Sequence, residues 1–373
     1  MSMFNYISLI AFLIEISLAS GFCNIIHCYE SRQSIAKTTL LAKANYHAHA
    51  TNGDNNLPVI NRRQWLGQSA LVSSTFFVSH VHAEGTVDNS KTVPTDKSVI
   101  VLGANGGTGR ECVSSVLESG RACYATTRSG SFNYDEESSF SLLVKSNPKL
   151  FQDQADVTSL DGLLALVDRV NSNEPVGAMI FAASASTKGS NAVDVDCKGV
   201  INAAKCCIQR GIPRLVVISS GAVTRPNSAV YKLLNFVGNG IMEAKIRGED
   251  ELRNLYNKKE LDDKGLGYTV VRPGGLTNEA SMGPKFLEVN QGDDKSGRLS
   301  RADVAGICVA SLDVASSFDT TFECYLKNTA KPVDNVGISN ILRSTDPTSY
   351  KSGKEGTGKT WNELLSSLRR DFS

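Results

Sequence analysis

The chain has 373 residues, with 39 Lys and Arg against 38 Asp and Glu and a formal net charge of +1. Such a balance gives no electrostatic reason to expect nucleic acid or an anionic membrane surface as a partner. The nine cysteines contain no C-x-x-C pair and mostly stand among apolar residues, so we expect buried packing and no metal site. The length suffices for one α/β domain with a well-buried core.

Residues 1–83 carry three successive targeting signals. An apolar stretch at 7–18 followed by small residues is typical of a secretory signal peptide, and residues 22–60 are poor in acids, as transit peptides are. Arg62 and Arg63 precede the apolar stretch 70–81 and resemble a Tat-type signal, although a basic patch before a buried helix is the alternative. The order resembles the bipartite presequence of algae with secondary plastids. It implies a plastid protein, and a thylakoid-lumen protein if the twin-arginine signal is used.

An apolar strand at 99–102 leads directly into glycines spaced G-x-x-G-x-x-G. Apolar residues at helical spacing, including Val113 and Leu117, follow the glycines and predict a helix. A strand, a glycine loop and a helix in this order form the unit that binds the pyrophosphate of a dinucleotide at the helix N-terminus. The alternative is an ordinary glycine turn. The predicted phosphate-binding residues are Gly103, Asn105, Gly106, Gly107, Thr108 and Gly109.

Arg128 ends the second predicted strand, at 122–127. An NAD-preferring site places Asp or Glu there to bind the ribose 2′-OH, whereas a cation suits a 2′-phosphate. We therefore expect NADP(H) to be preferred over NAD(H). A solvated arginine at a strand end is the alternative.

Strands and helices then alternate along the chain. A third strand at 155–158 is predicted to end with Asp156 and Val157 beside an adenine, and Thr158 to cap the next helix. The apolar strand 176–182 runs into small residues, Ala182, Ala183 and Ser184, which would let a nicotinamide ribose approach the backbone. A helix at 194–209, a strand at 214–220, a long helical region at 231–256 and a strand at 268–271 follow.

This alternation predicts an α/β fold, a Rossmann-type doubly wound parallel sheet in a single domain over residues 97–330. Several motifs resemble atypical short-chain dehydrogenase/reductases, in particular the NmrA-like, NAD(P)-binding group, from about Ser98 to Lys327. The resemblance implies that Pro273, Gly274 and Gly275 contact the cofactor. It is carried by the Gly103 loop, Asp156-Val157, Ser219-Ser220-Gly221, residues 243–249, Arg272-Pro273-Gly274-Gly275 and residues 300–305.

The Tyr-Lys pair of the typical family is missing, because Tyr231 is followed four residues later by Asn235. By resemblance, Lys245 takes over the ribose contact, and Ser219 or Tyr231 is the nearest proton donor. The alternatives are a Ser219 that satisfies backbone groups at a strand end and a Lys245 on a solvated helix face.

Two functions fit these features. The first is an NADP(H)-binding reductase of a small carbonyl or conjugated substrate, and the second is a noncatalytic NADP(H)-sensing regulatory or scaffold protein. The missing Tyr-Lys pair favours the second, while the glycine loop suits both. The sequence leaves the substrate and the oligomeric state open, and no apolar run after residue 83 is long enough for a membrane span.

The tail, residues 331–373, contains a G-x-x-x-x-G-K-T motif at 353–360. No convincing buried strand leads into it, so ATP binding is not expected. We predict a flexible linker to a short terminal helix, dispensable for NADPH binding.

Overall fold

The computed structural model describes residues 91–133, 147–185, 191–327, 329–333 and 354–372. The predicted targeting signals in residues 1–83 lie outside the described residues.

Eight strands form the main sheet in the order β3-β2-β1-β4-β5-β6-β11-β8. Neighbouring strands are parallel except that β8 runs antiparallel to β11. The predicted doubly wound parallel sheet is therefore confirmed. The strands are β1 Ser98–Leu102, β2 Cys123–Thr127, β3 Leu150–Gln154, β4 Val176–Phe181, β5 Arg214–Ile218, β6 Gly267–Pro273, β7 Gly275–Thr277, β8 Leu287–Asn290, β9 Lys295–Ser296, β10 Arg298–Ser300, β11 Thr320–Leu326 and β12 Lys331–Pro332.

Helices cover both faces of the sheet. The chain also forms a π-helical segment at Val193–Gly199, and short 3-10 turns occur at Pro284–Phe286 and Ala315–Ser317. The helices are α1 Gly107–Glu118, α2 Leu160–Asn171, α3 Val200–Arg210, α4 Ala229–Val237, α5 Ile241–Tyr256, α6 Lys259–Asp263, α7 Arg301–Asp313 and α8 Trp361–Leu365.

The two faces of β1 explain its continuous apolar sequence. Val99 and Val101 pack into a core with α1 and α7, whereas Ile100 and Leu102 pack into a second core with α2, α3 and α5. A strand with helices on both faces has no solvent side, so its residues do not alternate between apolar and polar. The carboxyl ends of the parallel strands therefore form the edge at which a ligand can bind.

The third predicted strand was placed too late. The strand is Leu150–Gln154, and Asp156 instead closes a turn in which its Oδ1 accepts hydrogen bonds from the amide and hydroxyl of Thr158. Ser159, not Thr158, caps α2, because its side chain accepts from the Gly162 N–H. Asp favours such side-chain-to-backbone turns over strand pairing.

The long helical region predicted at 231–256 is two helices. The break lies at Gly238, Asn239 and Gly240, where φ is +48° at Asn239 and +86° at Gly240. These left-handed conformations cannot continue an α-helix, and Gly and Asn adopt them at low cost. The Asn235 side chain then accepts from the first N–H groups of α5, at Met242 and Glu243.

The predicted short terminal helix is present as α8, but the predicted flexible linker is wrong for residues 354–360, which pack on the sheet and on α8. Leu364 and Leu365 are fully buried in the core beside α7, and Gly356 pairs with Val289 of β8. In the G-K-T loop, a Cβ on Gly358 would collide with the Leu364 amide, and the Lys359 N–H donates to Glu363 Oε2 at 2.7 Å. The described part of this motif, residues 354–360, thus packs against α8.

The structure bears on the cysteines and on the apolar character of the helices. The seven cysteines among them are free and buried, which confirms the expected apolar packing. Within the described ranges, no helix combines the length and the apolar character needed to cross a membrane.

Candidate functional site

The turn after β1 brings the start of α1 against the sheet. Gly103 has φ +83°, and a Cβ there would lie 2.7 Å from the backbone N and Cα of Ala183. A Cβ on Gly109 would collide with the Gly103 carbonyl oxygen. These two positions therefore require glycine, since the backbones of β1, β4 and α1 converge there.

The N-terminus of α1 is uncapped. Gly106 is the N-cap residue and offers no side-chain hydrogen bond, and the first turn of α1 contains no acidic residue. The first helical N–H groups and the positive end of the helix dipole are thus directed at the space in front of the helix. This arrangement suits a phosphate.

A cavity of about 450 Å³ opens in front of this N-terminus. It brings together nine of the predicted cofactor residues: Gly103, Asn105, Gly106, Arg128, Asp156, Val157, Ala182, Ala183 and Ser184. It is also lined by residues that the sequence analysis did not single out for it: Thr127, Ser129, Ala155, Thr158, Ala185 and Val195. The residues come from the carboxyl ends of β1 to β4, as expected of a doubly wound sheet.

Asn105 closes one side of this cavity. Its Nδ2 donates to the Ser131 carbonyl at 2.9 Å, and its Oδ1 accepts from the Asn133 N–H at 2.8 Å. Both ends of the amide are thus committed to the segment that follows Arg128. Asn105 shapes the site by fastening this segment to the glycine loop.

Arg128 is exposed at the cavity rim. Its backbone carbonyl is held by Gln154 Nε2 at 2.9 Å, while its guanidinium makes no hydrogen bond or ion pair with any described residue. The nearby Asp156 carboxylate is occupied by Thr158. A cation with free donors therefore stands at the end of β2, where it can meet an anionic group.

Lys245 acts on the cavity floor through Asp196. The Asp196 carboxylate is buried and accepts from Ser184 Oγ at 2.8 Å and the Ala185 N–H at 2.8 Å, and Lys245 Nζ lies 2.8 Å from its Oδ1. The Lys245 side chain is only 12% exposed, so the alternative of a solvated helix face is wrong. This ion pair fixes the backbone that forms the floor.

Ser219 lies in a buried ionic cluster. Its hydroxyl donates to Glu249 Oε1 at 2.5 Å, and Glu249 also pairs with Arg272 and Arg253, each at 2.6 Å. Burial would raise the pKa of Glu249, but the two guanidinium groups and the serine hydroxyl hold it below its usual value. The Ser219 proton is therefore held by a carboxylate, and Ser219 does not line the cavity.

The same cluster contains two acids that the sequence analysis missed. Asp293 accepts from the Ala222 and Thr224 N–H groups, and its own N–H donates to Glu323. Burial and the neighbouring Asp293 raise the pKa of Glu323 to about 8, against the charge of Arg272. No short sequence spacing links these residues, since α5, β6, β11 and the segments that follow β5 and β8 bring them together.

Tyr231 is half-buried on α4. Burial and the charge of Glu243 raise the pKa of its phenol, so that it stays protonated at neutral pH. This is opposite to the effect of a neighbouring lysine, which would lower that pKa. Tyr231 is not among the residues that line the cavity.

Pro273, Gly274 and Gly275 lie away from the cavity lining. A Cβ on Gly274 would collide with the Gly297 carbonyl, and the Gly275 N–H donates to the same carbonyl at 2.7 Å. Their visible role is the close pairing of β7 with the β9–β10 segment. Gly107, Thr108 and Gly109 form the first turn of α1 and contribute the backbone N–H groups of the uncapped helix end.

Comparison with known proteins agrees with this geometry. The family model described as NAD(P)H-binding matches residues 103–314. An uncharacterised chloroplast protein of Arabidopsis thaliana is 31% identical over 228 residues, which cover 60% of this chain and 74% of that protein. The sanguinarine reductase of Eschscholzia californica is 30% identical over 141 residues, covering 36% of this chain and 46% of that enzyme.

Among solved structures, a short-chain dehydrogenase/reductase of Veillonella parvula in complex with NADP is 14% identical with a TM-score of 0.45. The match covers 62% of this chain and 96% of that chain.

The glycine loop allows a paired test of binding against folding. Gly106→Val should abolish dinucleotide binding with little effect on stability, because the nearest atom to a Cβ there is the Gly103 oxygen at 3.2 Å and the branched side chain fills the space before α1. Gly109→Ala should lower the free energy of unfolding by about 1–3 kcal/mol or more, since its Cβ meets backbone.

NADPH fluorescence titration and urea unfolding of both variants measure these effects. Normal NADPH binding by folded Gly106→Val would show that the space before α1 is not the phosphate site.

Proposed function

We propose that this chain, which belongs to the NAD(P)H-binding family, is an oxidoreductase that uses NADPH to reduce a small carbonyl or conjugated substrate. The observation that carries the proposal is the uncapped N-terminus of α1 in front of the cavity at the carboxyl ends of β1 to β4. Backbone N–H groups there would hold the pyrophosphate, and the small residues Ala182, Ala183 and Ser184 would receive the nicotinamide ribose.

The preference for NADPH over NADH rests on Arg128. Arg128 is exposed, it is among the residues that line the cavity, and its guanidinium has no partner among the described residues. A 2′-phosphate would accept charge-assisted hydrogen bonds from this guanidinium, whereas the neutral 2′-hydroxyl of NAD would form a weaker hydrogen bond with it. The Asp or Glu that would bind the hydroxyl of NAD is absent at this position.

When bound, the nicotinamide ring supplies a hydride to an electrophilic carbon of the substrate. The product then needs a proton. Ser219 is a poor source, because its hydroxyl already donates to Glu249, whose lowered pKa leaves it without a proton to pass on. Tyr231, the other donor that the resemblance names, keeps its proton at neutral pH and is not held by a carboxylate among the described residues, so we take it as the candidate donor, although it is not among the residues that line the cavity.

Several large apolar side chains are exposed near the carboxyl edge of the sheet. Segments that follow β4, β5 and β7 at the carboxyl edge expose large apolar side chains, and Phe236 and Val237 of α4 are 67% and 69% exposed. Such exposure favours an apolar, conjugated acceptor over a charged one. The exposed large apolar residues are Val193, Leu234, Phe236, Val237, Met282 and Phe286.

A plastid location is supported by the chloroplast relative and by the order of the signals in residues 1–83. We extend the proposal to the thylakoid lumen because of Arg62 and Arg63. A route that carries folded proteins would deliver the dinucleotide already bound.

Replacing Arg128 should change cofactor choice. Arg128→Gln should weaken NADPH binding by at least about tenfold and leave NADH binding unchanged, because only NADPH carries the 2′-phosphate. Calorimetric titration of both cofactors measures this, with the exposed Arg369→Gln as the matched control. Equal wild-type affinity for the two cofactors would contradict the proposed preference.

Activity can be tested with the purified protein after residue 83. We expect NADPH oxidation with at least one acceptor class among quinones, flavins, aldehydes and tetrapyrroles, and Tyr231→Phe should lower turnover without changing NADPH affinity. NADPH binding without oxidation by any of these classes would favour the noncatalytic sensing function.

Localisation can be tested with a fluorescent fusion. The wild-type fusion should reach the thylakoid lumen with a mature amino terminus after Ala83, and the Arg62/Arg63→Lys double variant should remain in the stroma. Stromal wild type would contradict the lumenal proposal alone, whereas secretion would also contradict the plastid proposal.

A further inference from the structure

Arg301, the first residue of α7, lies against the first residue of α1. A Cβ on Gly107 would be 2.9 Å from Arg301 Nε and 3.1 Å from its Cδ. Helices α1 and α7 pack on each other, and both begin at the carboxyl edge of the sheet. Two positive helix ends and a guanidinium are therefore side by side next to the glycine loop.

The charge of Arg301 is not neutralised by a direct ion pair. Its Nη1 donates to the neutral Asn278 side chain at 2.5 Å, and no carboxylate of the described residues forms an ion pair with it. Glu111 lies only within electrostatic range. The nearest acid of its own helix, Asp303, is occupied by the Ser281 hydroxyl and the Met282 and Gly283 N–H groups.

An unneutralised arginine beside a helix N-terminus is suited to an anion, and its fork can bind phosphate oxygens with two donors. The Asn278 bond uses Nη1 and fixes the side chain, while Nε and Nη2 make no hydrogen bond with any residue that the structure describes. Of the strands of the main sheet, α7 contacts β5 and β6, whereas α1 contacts β1 and β2. Arg301, which is not among the residues that line the cavity, thus lies beside the start of α1 on the side opposite to Arg128.

We infer that Arg301 binds the bridging pyrophosphate of the dinucleotide, on the phosphate nearer the nicotinamide. This inference rests on the proposed function and adds a binding residue to it. It also assigns a second role to Gly107, whose missing side chain leaves room for the side chain of Arg301.

Three ligands separate the two arginines: NADPH, NADH, and adenosine 2′,5′-bisphosphate, which carries the 2′-phosphate but lacks the nicotinamide-side phosphate. Arg301→Gln should weaken NADPH and NADH binding alike, by about tenfold, and leave binding of the bisphosphate nearly unchanged. Arg128→Gln should show the converse pattern, weakening NADPH and the bisphosphate and sparing NADH.

Controls distinguish a lost contact from a damaged fold. Arg298→Gln changes a half-buried arginine three residues earlier and should bind all three ligands as wild type does. Gly107→Val should displace the Arg301 side chain and reproduce the loss for both dinucleotides. Thermal unfolding without ligand is measured for every variant.

If the wild-type protein binds both dinucleotides and Arg301→Gln binds them with the same affinity, this inference is overturned and the proposed function stands. Equal losses for all three ligands in Arg301→Gln would also overturn it, since they would indicate a general disturbance of the loop. Failure of the wild-type protein to bind any dinucleotide would overturn the proposed function itself.

Discussion

The site depends on one steric constraint, the close approach of three backbones at the end of β1. Gly103 and Gly109 allow α1 to begin within van der Waals distance of β1 and β4, because any Cβ there would meet backbone atoms. The uncapped helix end, the cavity in front of it and the small residues of its floor all follow from that approach. Phosphate binding by backbone N–H groups needs this geometry more than any particular side chain.

Buried charges hold the rest of the site in place. The ion pair of Asp196 and Lys245 fixes the floor from below, and the pairing of Glu249 with Arg272 fixes the end of β5. Each buried carboxylate here has several donors, as burial of a charge requires. The resemblance assigned Lys245 and Ser219 to catalysis. In the structure, the side chains of both residues are bonded to buried carboxylates of the protein itself.

The sequence predicted what depends on local pattern. The apolar strand, the glycine spacing and the alternation of elements identify the sheet and nine cavity residues, because each signal spans only a few neighbours. Contacts between distant segments could not be predicted. Asp196 meets Lys245, and Arg301 meets Gly107, only through the order of strands in the sheet. The packed tail was missed for the same reason, since its buried leucines have partners far along the chain.

A crystal structure of the protein grown with NADP⁺ tests the central claim most directly. The account predicts the pyrophosphate in front of α1 at Gly106, the 2′-phosphate beside Arg128 and the nicotinamide ribose over Ala182 and Ala183. A dinucleotide bound elsewhere, or a cavity still empty at saturating NADP⁺, would contradict it.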